Sequence, residues 1–150
     1  FPDSLIYSFE PMPENFEILQ KNISQYKNIR AFNYGLGSKN GSFKVYLSSD
    51  PENYGGISFY PDAHGNQEKS YISCEVKNVN EIINDLEVES IDLIKIDTEG
   101  AEYDILSTLK VDILRGTSWI TGELHGNRDF ELFASLTSST LCRCFVSSLL

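Results

Sequence analysis

The hydrophobic pattern at the start of the chain predicts a strand, a helix and a second strand. Residues 5–9 are mostly apolar and end at Glu10-Pro11, where proline cannot continue a hydrogen-bonded ladder. Pro13 suits a first helical turn, because its missing N–H costs nothing there. Apolar residues then recur at helical spacing: Met12, Phe16, Leu19 and Ile23. Since residues 29–36 return as a strand, we expect a parallel, right-handed βαβ unit.

The next segment carries the pattern of an antiparallel pair of strands. Asn40-Gly41 predicts a hairpin turn, and residues 42–48 alternate with the period of a half-buried strand. Residues 71–77 form another short strand, which we expect to pair with residues 42–48. Residues 49–70 are rich in Gly, Pro, Asn and Asp and lack periodicity, so they predict a long loop of the kind that is often functional.

Helix and strand patterns alternate again in the second half. Asn78, with Glu81 three positions later, is typical of a helix start. One apolar face follows: Val79, Ile82, Ile83 and Leu86. Residues 118–124 predict a strand, and a last helix is marked by Phe130, Phe133 and Ala134. Residues 141–150 are compatible with a terminal strand.

The most informative stretch is residues 91–102. Residues 91–96 are short, apolar and β-branched, which predicts a strand buried on both faces of a parallel sheet. The pattern then breaks into Asp-Thr-Glu-Gly-Ala-Glu and passes into a helical run: Ala101, Ile105, Leu106 and Leu109. Open α/β sheets place ligands where a buried strand ends before a helix. This stretch therefore predicts the centre of an active crevice.

Composition narrows the class of protein. A chain of 150 residues with 41% hydrophobic and 23% charged residues is typical of one globular domain, spanning residues 1–150. The formal net charge is −10 and the basic residues are scattered, which argues against nucleic acid as a partner. No apolar run approaches the roughly 20 residues needed to cross a bilayer, so we expect no membrane partner.

The cysteines predict neither a disulfide framework nor a zinc site. Cys74, Cys142 and Cys144 are odd in number and lack Cys-x-x-Cys spacing. The Cys142-x-Cys144 pair lies in an apolar tail, which favours packing over metal ligation. We therefore expect a reducing, cytoplasmic setting.

Carboxylates follow two of the predicted strands. Glu10 has two interpretations: an acid that accepts hydrogen bonds from ribose hydroxyls, or a solvated charge before a turn. Asp97 and Glu99 would share one side of an extended chain, with about 7 Å between their Cα atoms. Glu99 and Glu102 are adequately explained as acids that stabilise a helix N-terminus. Asp97 is less well explained in this way, because it lies before the helix. Gly100 permits close approach of the backbone there.

Glu123 and His125 end the next predicted strand. A histidine there is a candidate general base toward a hydroxyl, although a structural role is the commoner one. These two residues and Asp97 are candidate ligands for a divalent ion, although their spacing is not that of a typical metal motif, and Glu99 is a further candidate ligand. Gly35-x-Gly37 is too short to identify a phosphate loop.

The order of the motifs resembles the FkbM family of S-adenosylmethionine-dependent methyltransferases. The segments that carry the resemblance run from about residue 5 to residue 125: Phe9-Glu10-Pro11-x-Pro13, Leu19-x-x-Asn22, Asn33-Tyr34-Gly35-Leu36-Gly37, Gly41, Ile94-Lys95-Ile96-Asp97-Thr98-Glu99-Gly100-Ala101-Glu102 and Glu123-x-His125. The first and the fifth segments are specific when they occur together in this order.

The resemblance implies a Rossmann-like class I methyltransferase sheet, mostly parallel, with a β-hairpin insertion. It also implies S-adenosylmethionine as the cofactor and methyl transfer to a hydroxyl of a sugar, polyketide or similar small acceptor. By motif, Glu10 would bind the cofactor ribose, Pro11 would also contact the cofactor, and residues 35–37, which include Gly35 and Leu36, would pass the adenine. Asp97 would face the methionyl end and the acceptor. The residues beside the acceptor hydroxyl would be His125 and Glu123.

The chain departs from this family pattern at its start. No strand with a glycine-rich turn precedes Phe1, so we expect an N-terminally truncated sheet. Two alternatives to an active methyltransferase follow. One is a non-catalytic fragment or binding module that keeps the fold, and the other is a metal-assisted enzyme that acts through Asp97, Glu99 and Glu123.

Overall fold

The computed structural model describes residues 3–47, 57–58, 71–98, 100–123, 127–138 and 143–147. Helices and strands alternate through these ranges. Their bounds are β1 Ile6–Phe9, α1 Pro13–Ile23, β2 Ile29–Phe32, β3 Gly35–Gly37, β4 Gly41–Leu47, β5 Ile57–Ser58, β6 Tyr71–Asn78, α2 Val79–Asp85, β7 Leu93–Ile96, α3 Glu102–Thr108, α4 Val111–Gly116, β8 Trp119–Glu123, α5 Asn127–Ser138 and β9 Arg143–Ser147. The predicted α/β class is confirmed.

The described strands form three sheets. Strands β1 and β2 form a parallel pair, and β7, β8 and β9 form a second, fully parallel sheet. The third sheet is mixed and has the order β3-β6-β4-β5. Parallel pairs thus occur in all three sheets, since β3 and β6 are also parallel, whereas the family resemblance implied one mostly parallel sheet.

The opening unit folds as predicted. Strand β1 leads through α1 to the parallel strand β2, and the side-chain amide of Asn28 closes the unit by donating to the Ser4 carbonyl at 2.8 Å. The strand predicted for residues 29–36 is interrupted, however. Asn33 donates its side-chain N–H to the carbonyl oxygens of Glu10, at 2.9 Å, and Pro11, at 3.3 Å. The chain therefore leaves β2 at Phe32 and enters a different sheet at β3.

The predicted pairing of residues 42–48 with 71–77 is confirmed, since β4 and β6 are antiparallel with Phe43 opposite Cys74. The prediction of a hairpin turn at Asn40-Gly41 is wrong. Strands β3 and β4 lie on opposite edges of β6, and both have Val76 as a register partner. Asn40 instead uses its side chain to accept from the Asn78 amide and to donate to Glu81, both at 2.6 Å. Apart from β5, the loop predicted for residues 49–70 lies outside the described residues.

The main hydrophobic core lies among α2 to α5 and the inner face of β7 and β8. Its fully or nearly fully buried members are Val79, Ile83, Ile96, Ile105, Leu106, Leu109, Ile113, Leu114, Ile120, Phe133 and Leu136. Helix α2 begins as predicted, because the Asn78 side chain accepts from the amides of Asn80, at 2.9 Å, and Glu81, at 3.2 Å. Helix α4 was not anticipated, and it adds Ile113 and Leu114 to the core.

Strand β7 is buried on one face only, so the prediction of burial on both faces is wrong. Ile94 and Ile96 point toward the core, while Leu93 is 49% exposed and Lys95 is exposed. Within the described part of the chain, the core elements pack on one face of this sheet. The opposite face carries the polar residues that follow in the candidate site.

Two more predicted elements are confirmed. The last helix is α5, and β9 is a terminal strand parallel to β8. None of the helices in the described ranges is long and apolar enough to cross a membrane.

Candidate functional site

The first group of predicted site residues lies at the carboxyl end of β1. Glu10 follows this strand directly, is half-buried, and accepts a hydrogen bond from the Met12 amide through Oε1 at 2.8 Å. Pro11 lies against Gly35, where an added β-carbon would be 3.6 Å from the Pro11 Cβ. The structure therefore brings Glu10, Pro11 and Gly35 together. Leu36 packs against the hydrophobic core, and its place beside the adenine stays a prediction.

Burial controls the electrostatics of this group. It raises the pKa of Glu10, and hydrogen bonds from the Met12 amide and the Asn15 side chain offset part of that rise. The pKa of the Cys74 thiol is also raised, first by burial and then by the negative charge of Glu10. The Glu10 carboxylate is thus held in a partly desolvated place, where any additional hydrogen-bond donor would stabilise its charge.

Glu10 is expected to make the protein less stable as the pH rises. The folded-state pKa is raised, so the folded state binds more protons than the unfolded state between the two pKa values. The free energy of unfolding therefore falls as the pH rises through that window. Glu10→Gln should remove this fall and be more stable than the wild type at pH 7, with the difference shrinking in acid. Urea unfolding from pH 4 to pH 8 tests this, and the exposed Glu14→Gln is the control. A wild-type advantage at pH 7 would contradict it.

Aromatic rings lie beside this group, which the sequence pattern did not single out. Phe9 stacks on Phe32 with 5.3 Å between ring centroids, and Tyr34 lies 5.7 Å from Phe9 and 5.5 Å from Phe32. The Lys77 ammonium lies 4.3 Å from the centre of the Tyr34 ring. A detectable signal was the spacing of two between Tyr7 and Phe9 in β1, and between Phe32 at the end of β2 and Tyr34 just after it, because side chains two apart share one face of an extended chain.

The second group lies at the carboxyl ends of β7 and β8. These strands are parallel with Ile96 beside Gly122, so Asp97 and Glu123 each come one residue further along. Asp97 forms an ion pair with Lys95 at 3.4 Å, which places it on the exposed face of the sheet. Glu123 is half-buried, and alternation along β8 places it on the face opposite the buried Ile120 and Gly122. His125 lies outside the described residues.

Gly122 is required by the close approach of these two strands. A β-carbon at this position would collide with the carbonyl oxygen of Ile96 and lie 2.8 Å from its Cγ2. Glycine thus allows the end of β8 to pack tightly on the end of β7. The close approach sets the spacing between the backbones that carry Asp97 and Glu123.

The turn that follows Asp97 is organised by Glu102. This side chain is 0% exposed. Its Oε1 accepts from the Thr98 amide at 2.7 Å and the Thr98 hydroxyl at 3.0 Å, and its Oε2 accepts from the Gly100 amide at 2.9 Å. Gly100 has a φ of 115°, a conformation that favours glycine. Glu102 is thus an acid in the first turn of α3, as predicted, and in addition it holds Thr98 and Gly100 through three hydrogen bonds. Glu99 lies outside the described residues.

The two groups lie at the ends of strands in different sheets, since β1 and β7 do not share a sheet among the described residues. A shared pocket between Glu10 and Asp97 stays a prediction. No cluster of three or more potential metal ligands occurs within the described ranges, and two of the candidates, Glu99 and His125, lie outside them.

Comparison with known proteins gives two relatives. The chain is 28% identical over 127 residues to Methyltransferase 1 of Beauveria bassiana, covering 73% of this chain and 50% of that protein. It is 24% identical over 160 aligned positions to the AMB antimetabolite synthetase AmbE of Pseudomonas aeruginosa, covering 85% of this chain and 8% of that protein. The chain thus spans half or less of the length of these relatives. No solved structure matches it.

The sequence profile of the Methyltransferase FkbM domain matches residues 3–142. The match includes β1 to α5, the Glu10 group and the Asp97 group. It confirms the family resemblance that the motifs indicated. The chain therefore belongs to the FkbM methyltransferase family.

Proposed function

We propose that the protein transfers a methyl group from S-adenosylmethionine to a hydroxyl oxygen of a sugar, polyketide or similar small acceptor. The observation that carries the proposal is the half-buried carboxylate of Glu10, which the Met12 amide orients at the end of β1. The family relation and the name of the Beauveria relative support methyl transfer. The match across residues 3–142 favours this reading over a binding module without activity.

The chemistry of Glu10 fits the ribose of the cofactor. A vicinal diol presents two O–H donors, and an ionised carboxylate offers about four lone-pair sites on its two oxygens. The Met12 amide uses one site on Oε1. Pro11 and Gly35, which touch beside Glu10, would form the wall next to the adenine. A ribose on Glu10 would also replace part of the hydration that burial removes from the carboxylate.

The parallel units are proposed to belong to one Rossmann-like arrangement. The units β1-α1-β2 and β7-β8 each end in carboxylates at their carboxyl ends, where α/β sheets bind ligands. In this arrangement the cofactor would extend from Glu10, at its ribose, to Asp97, at its methionyl end. The acceptor would lie beside Glu123 and His125.

When bound, S-adenosylmethionine supplies an electrophilic methyl carbon on a sulfonium that is a good leaving group. On methylation, the acceptor hydroxyl would give up its proton. His125 or Glu123 would accept that proton. Asp97 would hold the methionyl end in line with the oxygen, since alignment dominates displacement of a good leaving group.

Calorimetric titration with S-adenosylmethionine tests the proposal. Glu10→Gln is expected to weaken binding about 10- to 100-fold, because a hydrogen bond to a charged group contributes about 1.5–3 kcal/mol. The matched control is Glu14→Gln, an exposed glutamate in the first turn of α1, which should bind like the wild type. Wild-type protein that gives no binding heat at millimolar cofactor would contradict the proposal, and so would equal affinity in Glu10→Gln.

A further inference from the structure

We propose that Glu102 is a positioning residue for methyl transfer, because its carboxylate holds Thr98 and Gly100 and, through the peptide group between Asp97 and Thr98, the placement of Asp97. The role rests on the function proposed above. Glu102 itself is buried. It acts by restricting the backbone that carries Asp97.

Both oxygens of the Glu102 carboxylate are used on this turn. Oε1 holds residue 98 through the amide and the hydroxyl of Thr98, and Oε2 holds residue 100 through the amide of Gly100. One carboxylate thereby ties two backbone positions, on either side of residue 99, to the first residue of α3. Thr98 is the residue directly after Asp97, so the tie fixes the peptide group that the two residues share.

Stabilisation of the helix alone does not explain this arrangement. Ala101 is the N-cap residue and makes no side-chain cap, so Glu102 is inside the helix when it reaches back to the turn. Asp104 is exposed in the same first turn and is placed to favour the helix dipole without loss of hydration. The additional effect of burying Glu102 is a turn with a fixed shape.

The fixed turn lies where a catalytic geometry needs precision. Strand β7 ends at Ile96, Asp97 is the first residue beyond it, and Gly100 reverses the chain with a φ of 115°. Such a connection between a strand and a helix can adopt many backbone conformations unless hydrogen bonds hold its amides. An error of about 1 Å in the placement of a group that aligns reactants can cost about 100-fold in rate.

A double-mutant cycle separates positioning from general stability. Glu102→Gln keeps the shape but directs an amide N–H toward backbone N–H donors. It should lower kcat about 10- to 100-fold, as loss of a supporting hydrogen-bond partner does at other sites. In an Asp97→Asn background the same change should lower kcat less than about 3-fold, because the positioned group is gone. A merely structural role predicts the same loss in both backgrounds, and that result would overturn the proposal.

Two further variants keep the test decisive. Asp104→Asn, in the same helical turn, should leave kcat within about 2-fold of the wild type. Thr98→Val removes only the hydroxyl donor and is milder, so it tests the role even where Glu102→Gln fails to fold. It should lower kcat several-fold in the wild-type background and leave it unchanged with Asp97→Asn.

A structural readout distinguishes failure of this role from failure of the proposed function. In NMR spectra of the cofactor-free protein, Glu102→Gln should shift the amide resonances of Thr98 and Gly100 and speed their hydrogen exchange, whereas Asp104→Asn should not. Unchanged amides would overturn the positioning role whatever the activity. Wild-type protein with no methyl transfer but with these amide shifts would instead overturn the proposed function, and the role in catalysis with it.

Discussion

Asp97→Asn is expected to lower kcat/KM for methyl transfer about 100-fold while leaving the fold intact. Asp97 lies at the carboxyl end of β7 and is paired at 3.4 Å with the exposed Lys95. Asparagine keeps the shape but removes the negative charge that would face the cationic methionyl end. Loss of one preorganised electrostatic or proton-handling group costs about 10²- to 10⁴-fold, and the partial exposure of Asp97 places the expected loss at the lower end.

Transfer of a radiolabelled methyl group to an accepted hydroxyl compound measures this effect, with circular dichroism as the check on folding. Asp92→Asn is the matched control, since Asp92 is an exposed aspartate at the opposite end of the same strand. Its activity should stay within about 2-fold of the wild type. Equal activities in the two variants would remove Asp97 from the proposed site.

Leu106→Ala is expected to lower the free energy of unfolding by about 3 kcal/mol. Leu106 is 0% exposed and lies in the core cluster with Ile105 and Ile120, so the truncation leaves a cavity that α3 and β8 cannot fill without moving. For a domain of this size, that loss corresponds to a fall of about 10 °C in Tm.

Urea unfolding followed by circular dichroism gives the free energy directly, provided that the slope with denaturant is unchanged. Ile18→Ala in α1 is the control, because Ile18 is 56% exposed and its truncation should cost about 0.5 kcal/mol or less. Comparable losses in the two variants would mean that the core is centred elsewhere.

Predictions from the sequence succeeded where short-range chemistry determines structure. Asn78 caps α2 because its side chain accepts hydrogen bonds from amides two and three positions further along the chain. This capping pattern can be recognised from the sequence alone. The period of two in residues 42–48 likewise gave β4 its partner in β6. In the first case the interacting groups lie within a few residues of each other, and in the second the spacing that marks the strand does.

Predictions failed where a distant part of the chain supplies the partner. Asn40-Gly41 has the composition of a hairpin turn, but β6 lies between the two flanking strands, β3 and β4. The side chain of Asn40 forms hydrogen bonds with Asn78 and Glu81. Strand β7 has the composition of a strand buried on both faces, yet the core packs on only one of them in the described part of the chain. The composition of a strand indicates which residues tolerate burial, but it does not indicate which other elements pack on each face.

The same distinction holds at the candidate site. The motifs around Glu10 and Asp97 identified the family, because the segments occur in a fixed order with acids at the ends of strands. They did not distinguish Glu102 from the other acids near it. The role of Glu102 depends on two backbone amides and one hydroxyl that lie within hydrogen-bonding distance of its carboxylate. This arrangement requires the positive φ of Gly100.

By itself the sequence determined the α/β class, the βαβ opening, the cap of α2 and membership in the methyltransferase family, because periodicity, capping and motif order are properties of the chain itself. Only the tertiary structure decided that the described parallel pairs are distributed over three sheets, that the core packs on one face of β7 in the described part of the chain, that Leu36 packs against the core and that Glu102 is buried. Those outcomes depend on which distant groups compete for the same hydrogen bonds and apolar surface, and that competition is resolved only when the whole chain has packed.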